Sequence, residues 1–161
     1  MAANRKAARR IPPTAHQTTG PFFPAQYIRE SDNDLARLRH PGSRPAGDLY
    51  VIHGTVRDSE GAPSVNAIIE IWQADAQGRF NHPDFFGWGR TWTDRDGFYS
   101  FTTVKPGPFQ AAKGSNRWFA PRLSMRIVGS GLMRPLITAV YFPDEPMNAE
   151  DPQLQAITDG K

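Results

Sequence analysis

The sequence predicts an all-β domain, a β-sandwich with little helix. Three observations lead there. Pro and Gly, 15 and 14 of them in 161 residues, cut the chain into runs too short for ordinary helices. The runs between them are rich in β-branched and aromatic side chains. Two acidic turn sequences ending in Gly punctuate these runs, and the spacing of strands and turns suggests a sandwich.

Taken in order, the first strand is Leu49–Val56, closed by the turn Asp58-Ser59-Glu60-Gly61. The second is Ala67–Trp72, and a third at Arg90–Thr93 runs into Asp94-Arg95-Asp96-Gly97, whose Gly suits a tight hairpin to the next strand, Phe98–Val104. Leu123–Val128 and Leu136–Phe142 complete the set. Helix is expected only over Asp32–Arg39, with an acidic start and a basic end that suit the helix dipole, and around residues 151–157.

Composition limits the chemistry. The chain has no Cys, which removes disulfides, thiolate metal sites and thiol nucleophiles. Its apolar runs fall short of the roughly 18 residues of a membrane span, and no secretory apolar region is visible, so a cytoplasmic location is expected. The net charge of +3 resides in the first twelve residues, where Arg5, Lys6, Arg9 and Arg10 face no acid, leaving 15 basic and 16 acidic residues beyond. Residues 1–12 therefore read as a disordered basic tail and 13–161 as a single domain. With no basic stripe interleaved with aromatics, neither nucleic acid nor a membrane is an expected partner.

Of the four histidines, His16, His40, His53 and His82, no two have the spacing that aims two imidazoles at one metal from a strand or helix. His53 lies mid-strand and reads as a sheet residue, while His82 and Asp84 share a loop that offers a weaker metal reading. Glu70 shares a strand face with Ile68 and Trp72 and calls for a cationic partner, most simply an Arg. No nucleophile elbow, phosphate loop or dinucleotide fingerprint is present.

The segments Ile69-Glu70-Ile71-Trp72-Gln73-Ala74-Asp75, Gly78-Arg79-Phe80, Gly87-Trp88-Gly89-Arg90, Thr93-Asp94-Arg95-Asp96-Gly97-Phe98-Tyr99 and Val104-Lys105-Pro106-Gly107-Pro108 occur in order, with matching spacing over residues 17–157. Together they resemble the intradiol ring-cleavage dioxygenases. The resemblance implies a β-sandwich of mixed topology and an activity that opens a catechol ring with O2 on a ferric ion held by two Tyr and two His. Tyrosinate oxygens are hard anionic donors of the kind Fe(III) favours.

None of those four ligands stands at its matching place. The loop for the first Tyr is shortened, because Gly78-Arg79-Phe80-Asn81-His82 runs directly into Pro83-Asp84-Phe85-Phe86. Phe109 stands for the second Tyr, and Arg122 and Ser124 stand for the His-x-His pair. A guanidinium offers donors and no acceptor, so it repels a ferric ion, and Arg122 is expected to pair with Glu70 or another buried acid.

The pattern resembles the iron-free alpha-type chains of the protocatechuate-cleaving members, which assemble with homologous iron-bearing beta-type chains. The resemblance implies no catalytic or metal-binding residue in this chain, Fe(III) on the partner, and a catecholic aromatic acid at the interface. It places Thr18, Gly20 and Pro21 against substrate, within Gln17-Thr18-Thr19-Gly20-Pro21-Phe22. The Arg that reaches the substrate carboxylate in such chains is replaced by Ser130, and Arg134 is the candidate substitute. Alpha-type chains also continue into further C-terminal strands, and without these an edge or apolar face is left for a partner. The alternative reading is a catalytically inactive sandwich that binds an aromatic ligand or a protein partner.

Overall fold

The computed structural model describes residues 12–17, 28–37, 45–80 and 82–157. Within these the chain forms strands β1 (Leu49–Thr55), β2 (Ile68–Trp72), β3 (Trp88–Trp92), β4 (Phe98–Val104), β5 (Phe109–Gln110), β6 (Trp118–Phe119), β7 (Arg122–Val128) and β8 (Leu136–Tyr141). A 3₁₀ turn at Pro146–Glu150 leads into one short helix, α1 (Pro152–Gln155). The six longer strands fall where the β-branched and aromatic runs place them. Strands β5 and β6 have only two residues each, too short for any periodicity to announce.

Four strands pair in the order β3-β2-β7-β8, and β1 pairs with β4, all antiparallel. Alternation along β2 and β7 sends Ile69, Ile71, Leu123 and Met125 to one face. There they meet Phe101 and Val104 of β4, with Leu35, Phe85 and Phe142 closing the core. The completely buried Gln73 joins the two layers just past the end of β2. Its Nε2 donates to the Val104 carbonyl at 2.9 Å, and its Oε1 accepts from the Thr103 hydroxyl at 2.7 Å. The opposite face of the four-stranded sheet carries Glu70, Trp72, Trp88, Arg90, Arg122, Ser124, Arg126 and Ile137.

Two expectations are corrected. Residues 32–37 are not helical. The Leu35 N–H donates to the Thr102 carbonyl at 2.8 Å, and the Asn33 carbonyl accepts from the Thr102 N–H at 2.9 Å. The backbone groups a helix would use internally are therefore spent on the edge of β4, because burying Leu35 outweighs a local helical preference. The Asp94–Gly97 turn is tight, but it joins no hairpin. It carries the chain from β3 in the larger sheet to β4 beside β1. Asp94 Oδ1 accepts from the Asp96 and Phe98 N–H groups, and Gly97 sits at φ +74°, where an added Cβ would lie 2.5 Å from the Val56 carbonyl oxygen. The Asp58–Gly61 turn forms as read, closed by the Asp58 N–H on the Ala62 carbonyl at 2.9 Å.

Candidate functional site

Strand β7 places Arg122 and Ser124 on the outer face of the larger sheet, since they are two residues apart. The β5–β6 hairpin brings Phe109 opposite Phe119, with ring centroids 5.3 Å apart. The Arg122 guanidinium carbon lies 4.3 Å from the Phe119 ring centroid, 5.5 Å from that of Phe109 and 5.8 Å from that of Tyr141. Phe80 extends the aromatic wall, 5.0 Å from Phe109 and 4.9 Å from Trp72. The structure thus gathers Phe109 and Arg122 in one place, with Ser124 next along the same strand face. Cation–π attraction contributes about 0.5–2 kcal/mol per such contact, more where water is excluded.

Arg122 is tied down by polar contacts as well. Its Nη1 donates to the Tyr141 hydroxyl at 2.8 Å and to the Gln153 side-chain carbonyl. Tyr141 donates in turn to Asp151 Oδ1 at 3.3 Å. Asp151 is completely buried, accepts from the Ala120 N–H at 2.9 Å, and caps α1 by accepting from the Gln153 and Leu154 N–H groups. Burial alone raises a carboxyl pKa. At Asp151 the three backbone N–H donors and the positive charge of Arg122 outweigh burial, and the group is held below its ordinary value. Burial pushes the Tyr141 hydroxyl above its ordinary value, against the pull of Arg122, so it remains a donor.

The acid expected to pair with Arg122 is therefore not Glu70. It is Asp151, reached through Tyr141. Glu70 pairs with two other guanidiniums: Arg90, whose Nε donates at 2.9 Å, and Arg126, its register partner on β7. Burial disfavours the Glu70 carboxylate, but these two hydrogen-bonded cations reverse the effect and lower its pKa. Tyr141, Gln153 and Arg126 were not singled out from the sequence. One signal was readable for Asp151, since an Asp directly before Pro152 is an N-cap followed by Pro at the first helical position.

His53 lies on the exposed face of β1, tilted against Phe98 with centroids 5.9 Å apart. His82 Nδ1 accepts from the Asp84 N–H at 3.3 Å, a local turn contact. Among the described residues no three His, Asp or Glu side chains converge as a metal site. Arg134 is exposed between β7 and β8, and among the described residues it makes no ion pair or hydrogen bond. Thr18, Gly20 and Pro21 lie outside the described residues. Among the described residues no helix is long and apolar enough to cross a membrane.

This is a β-sandwich with an Arg–aromatic cluster on the outer face of its larger sheet. A dioxygenase family model matches residues 18–160. The protocatechuate 3,4-dioxygenase beta chain of Burkholderia cepacia is 34% identical over 145 residues, covering 84% of this chain and 62% of the relative. The protocatechuate 3,4-dioxygenase alpha chain of Pseudomonas putida is 31% identical over 159 residues, covering 91% and 78%. The dioxygenase domain of a dioxygenase carbohydrate-binding protein fusion from Streptomyces sp. SirexAA-E superposes with a TM-score of 0.62 at 26% identity, covering 88% of this chain and 82% of that one. The chain belongs to the intradiol ring-cleavage dioxygenase family.

Members of this family use ferric iron, and the residues gathered here do not fit it. Phe109 has no lone pair, the guanidinium of Arg122 presents only donors and a fixed charge, and Ser124 is a neutral hydroxyl. The buried Arg122 Nε, which has no partner among the described residues, is itself a donor and adds nothing a cation can use. With relatives of both chain types at similar identity, the distinction between them rests on these residues.

Proposed function

We propose that the chain is the non-iron-binding, alpha-type subunit of an intradiol catechol dioxygenase of the protocatechuate-cleaving kind, and that it completes the substrate pocket of an iron-bearing, beta-type partner. The observation that carries this reading is the environment of Arg122. A guanidinium stacked on Phe119 and hydrogen-bonded to Tyr141 and Gln153 takes the place of a ligand-forming histidine. The cation is integrated into the fold. Ring opening with O2 then belongs to the partner, in a cytoplasmic hetero-oligomer. In this reading Thr18, Gly20 and Pro21 line the shared pocket, Gly20 letting backbone approach the substrate, and Arg134 faces the carboxylate of the aromatic acid.

Co-expression with a homologous beta-type chain tests the proposal. A stable mixed oligomer with activity and with iron only on the partner is expected, while this chain alone binds no stoichiometric iron and shows no tyrosinate-to-iron colour. The combined variant Phe109→Tyr, Arg122→His, Ser124→His is expected to remain inactive alone, because the shortened segment at residues 78–86 supplies no Tyr as the fourth ligand. Turnover by that variant, or a coloured preparation of the wild-type chain, would overturn the reading. Failure of the two chains to associate would leave a non-catalytic binding module in its place.

A further inference from the structure

The larger sheet ends differently on its two sides. At β3 the backbone edge is already used, since the Arg90 N–H donates to the Asp32 carbonyl at 2.8 Å. At β8 the edge is open: among the described residues β8 pairs with β7 alone, and no other backbone group meets Leu136–Tyr141. This strand, Leu-Ile-Thr-Ala-Val-Tyr, carries no charge and no Pro, and Leu136 and Ile137 are 53% and 78% exposed. An apolar edge without the charges, prolines or bulges that block pairing is a template for another strand.

The flanks of β8 say which strand fits. Pro135 and Pro143 have no N–H and so confine any ladder to the residues between them, 136–142, whose midpoint is Ala139. Alternate residues of an antiparallel strand aim both backbone groups at the same edge, so a second copy of β8 must set odd residues against odd and even against even. A two-fold axis through Ala139 meets this condition. Ala139 then faces itself, Ile137 faces Tyr141, Thr138 faces Val140, and each Pro135 lies opposite a Pro143. The same register sets Arg134 of each copy opposite Asp144 of the other, at both ends of the ladder. Both side chains are exposed, and among the described residues neither makes an ion pair or hydrogen bond. Lys105, which feels the charge of Asp144, is itself bonded to Glu145 at 3.1 Å. Pro placement, alternation and charge therefore agree on one register of the strand with itself.

We propose that two copies of this chain pair through β8, antiparallel about a two-fold axis at Ala139, joining their four-stranded sheets into one, with an Arg134–Asp144 ion pair at each end. The interface is isologous, so it closes at two copies. Ile137 is covered by Tyr141 of the second copy, a cross-strand aromatic and β-branched pair. The pairing does not rest on the subunit reading. On that reading Arg134 is wanted at the substrate, so a second copy and a beta-type chain compete for it, and the homodimer is the form of chain made in excess of its partner.

Sedimentation of the full chain over a concentration series should show an 18.0 kDa monomer in exchange with its dimer. Arg134→Asp and Asp144→Arg each set like charges face to face at both ends and should each raise the dissociation constant roughly tenfold, with an intact fold checked by thermal melting. Mixed in equal amounts the two variants should dimerise again, since every end of the mixed pair joins an acid to a base. The register has its own readout. The chain has no Cys, so Ala139→Cys introduces a single thiol, and residues directly opposite in an antiparallel pair have Cα atoms about 4.5–5.5 Å apart, within the span of a disulfide. Mild oxidation should turn Ala139→Cys into a covalent dimer and leave Ser130→Cys, exposed ahead of β8, monomeric. A chain monomeric at every concentration, single charge variants that dimerise like wild type, a mixture no tighter than its components, or equal cross-linking of the two thiols would overturn the proposal. So would a chain that is monomeric alone and associates only with a beta-type chain, which would make this edge part of the mixed interface.

Discussion

Replacing Asp151 by Ala tests whether the Arg122 network is an integral part of the fold. The substitution removes the N-cap of α1, which typically costs about 1 kcal/mol. It also leaves the Ala120 N–H without its acceptor at a fully buried position, for a further ~1–3 kcal/mol. Loss of the counter-charge to the half-buried Arg122 acts in the same direction. A total loss of about 2–4 kcal/mol follows, equivalent to a melting point lower by roughly 4–16 °C for a domain of this length. Urea denaturation at constant m-value, with thermal melting beside it, measures the change. Asp151→Asn separates charge from capping. Its carbonyl can still cap α1, but its amide then points N–H groups at the Ala120 N–H, so it too should be destabilising. If Arg122 and Asp151 communicate through Tyr141, the cost of Asp151→Asn should shrink in an Arg122→Met background, where no cation is left uncompensated. A loss below about 0.5 kcal/mol for Asp151→Ala, within the range of an ordinary surface substitution, would refute this account.

Acid should weaken the fold through Glu70 and Asp151. Both carboxyls have folded-state pKa values below their ordinary 4.5 and 3.8, so the unfolded chain takes up protons first as pH falls. Their contribution is complete above about pH 5 and is lost as pH descends through the lower folded values; urea midpoints that stay level from about pH 6 down to about pH 3 would contradict it. Gly78→Ala should also destabilise strongly. Gly78 sits at φ +76°, and an added Cβ would lie 1.9 Å from the Pro108 carbonyl oxygen, so about 1–2 kcal/mol of backbone strain is joined by a clash that displaces the segment leading to Phe109. A melting point equal to wild type would refute that reading.

How much of this was legible in the sequence varies by kind of information. Strands β1, β2, β4, β7 and β8 are local β-rich runs, and their periodicity survives without any partner. What periodicity does not encode is pairing. Asp94–Gly97 has hairpin chemistry, yet β3 and β4 belong to different sheets because β2 and β1 claim them separately. Residues 32–37 have helical end signals, yet Leu35 is worth more in the core than in a surface helix. Glu70 showed the same limit from the other side. Alternation on β2 required a cation nearby, but its partners, Arg90 and Arg126, come from neighbouring strands on either side and are fixed only by register. The site was legible as the set Phe109, Arg122 and Ser124, while the contacts that hold Arg122 in place were not.

Those contacts follow from charge and shape together. A single cation can join side chains from separate elements that no backbone ladder links. Arg122 does so from β7: its guanidinium packs on Phe109 and Phe119 of the β5–β6 hairpin and hydrogen-bonds to Tyr141 at the end of β8 and to Gln153 in α1. A Lys at this position would keep the charge but not the plane that stacks on Phe119, nor the fork that reaches Tyr141 and Gln153 together. A Met would keep packing and leave Asp151 without its cation. Arg122 and the side chains it spans therefore act as one unit. Restoring a single histidine at Arg122 would remove the span without supplying a metal to replace it, and such a variant should lose stability while binding no more iron than the wild-type chain.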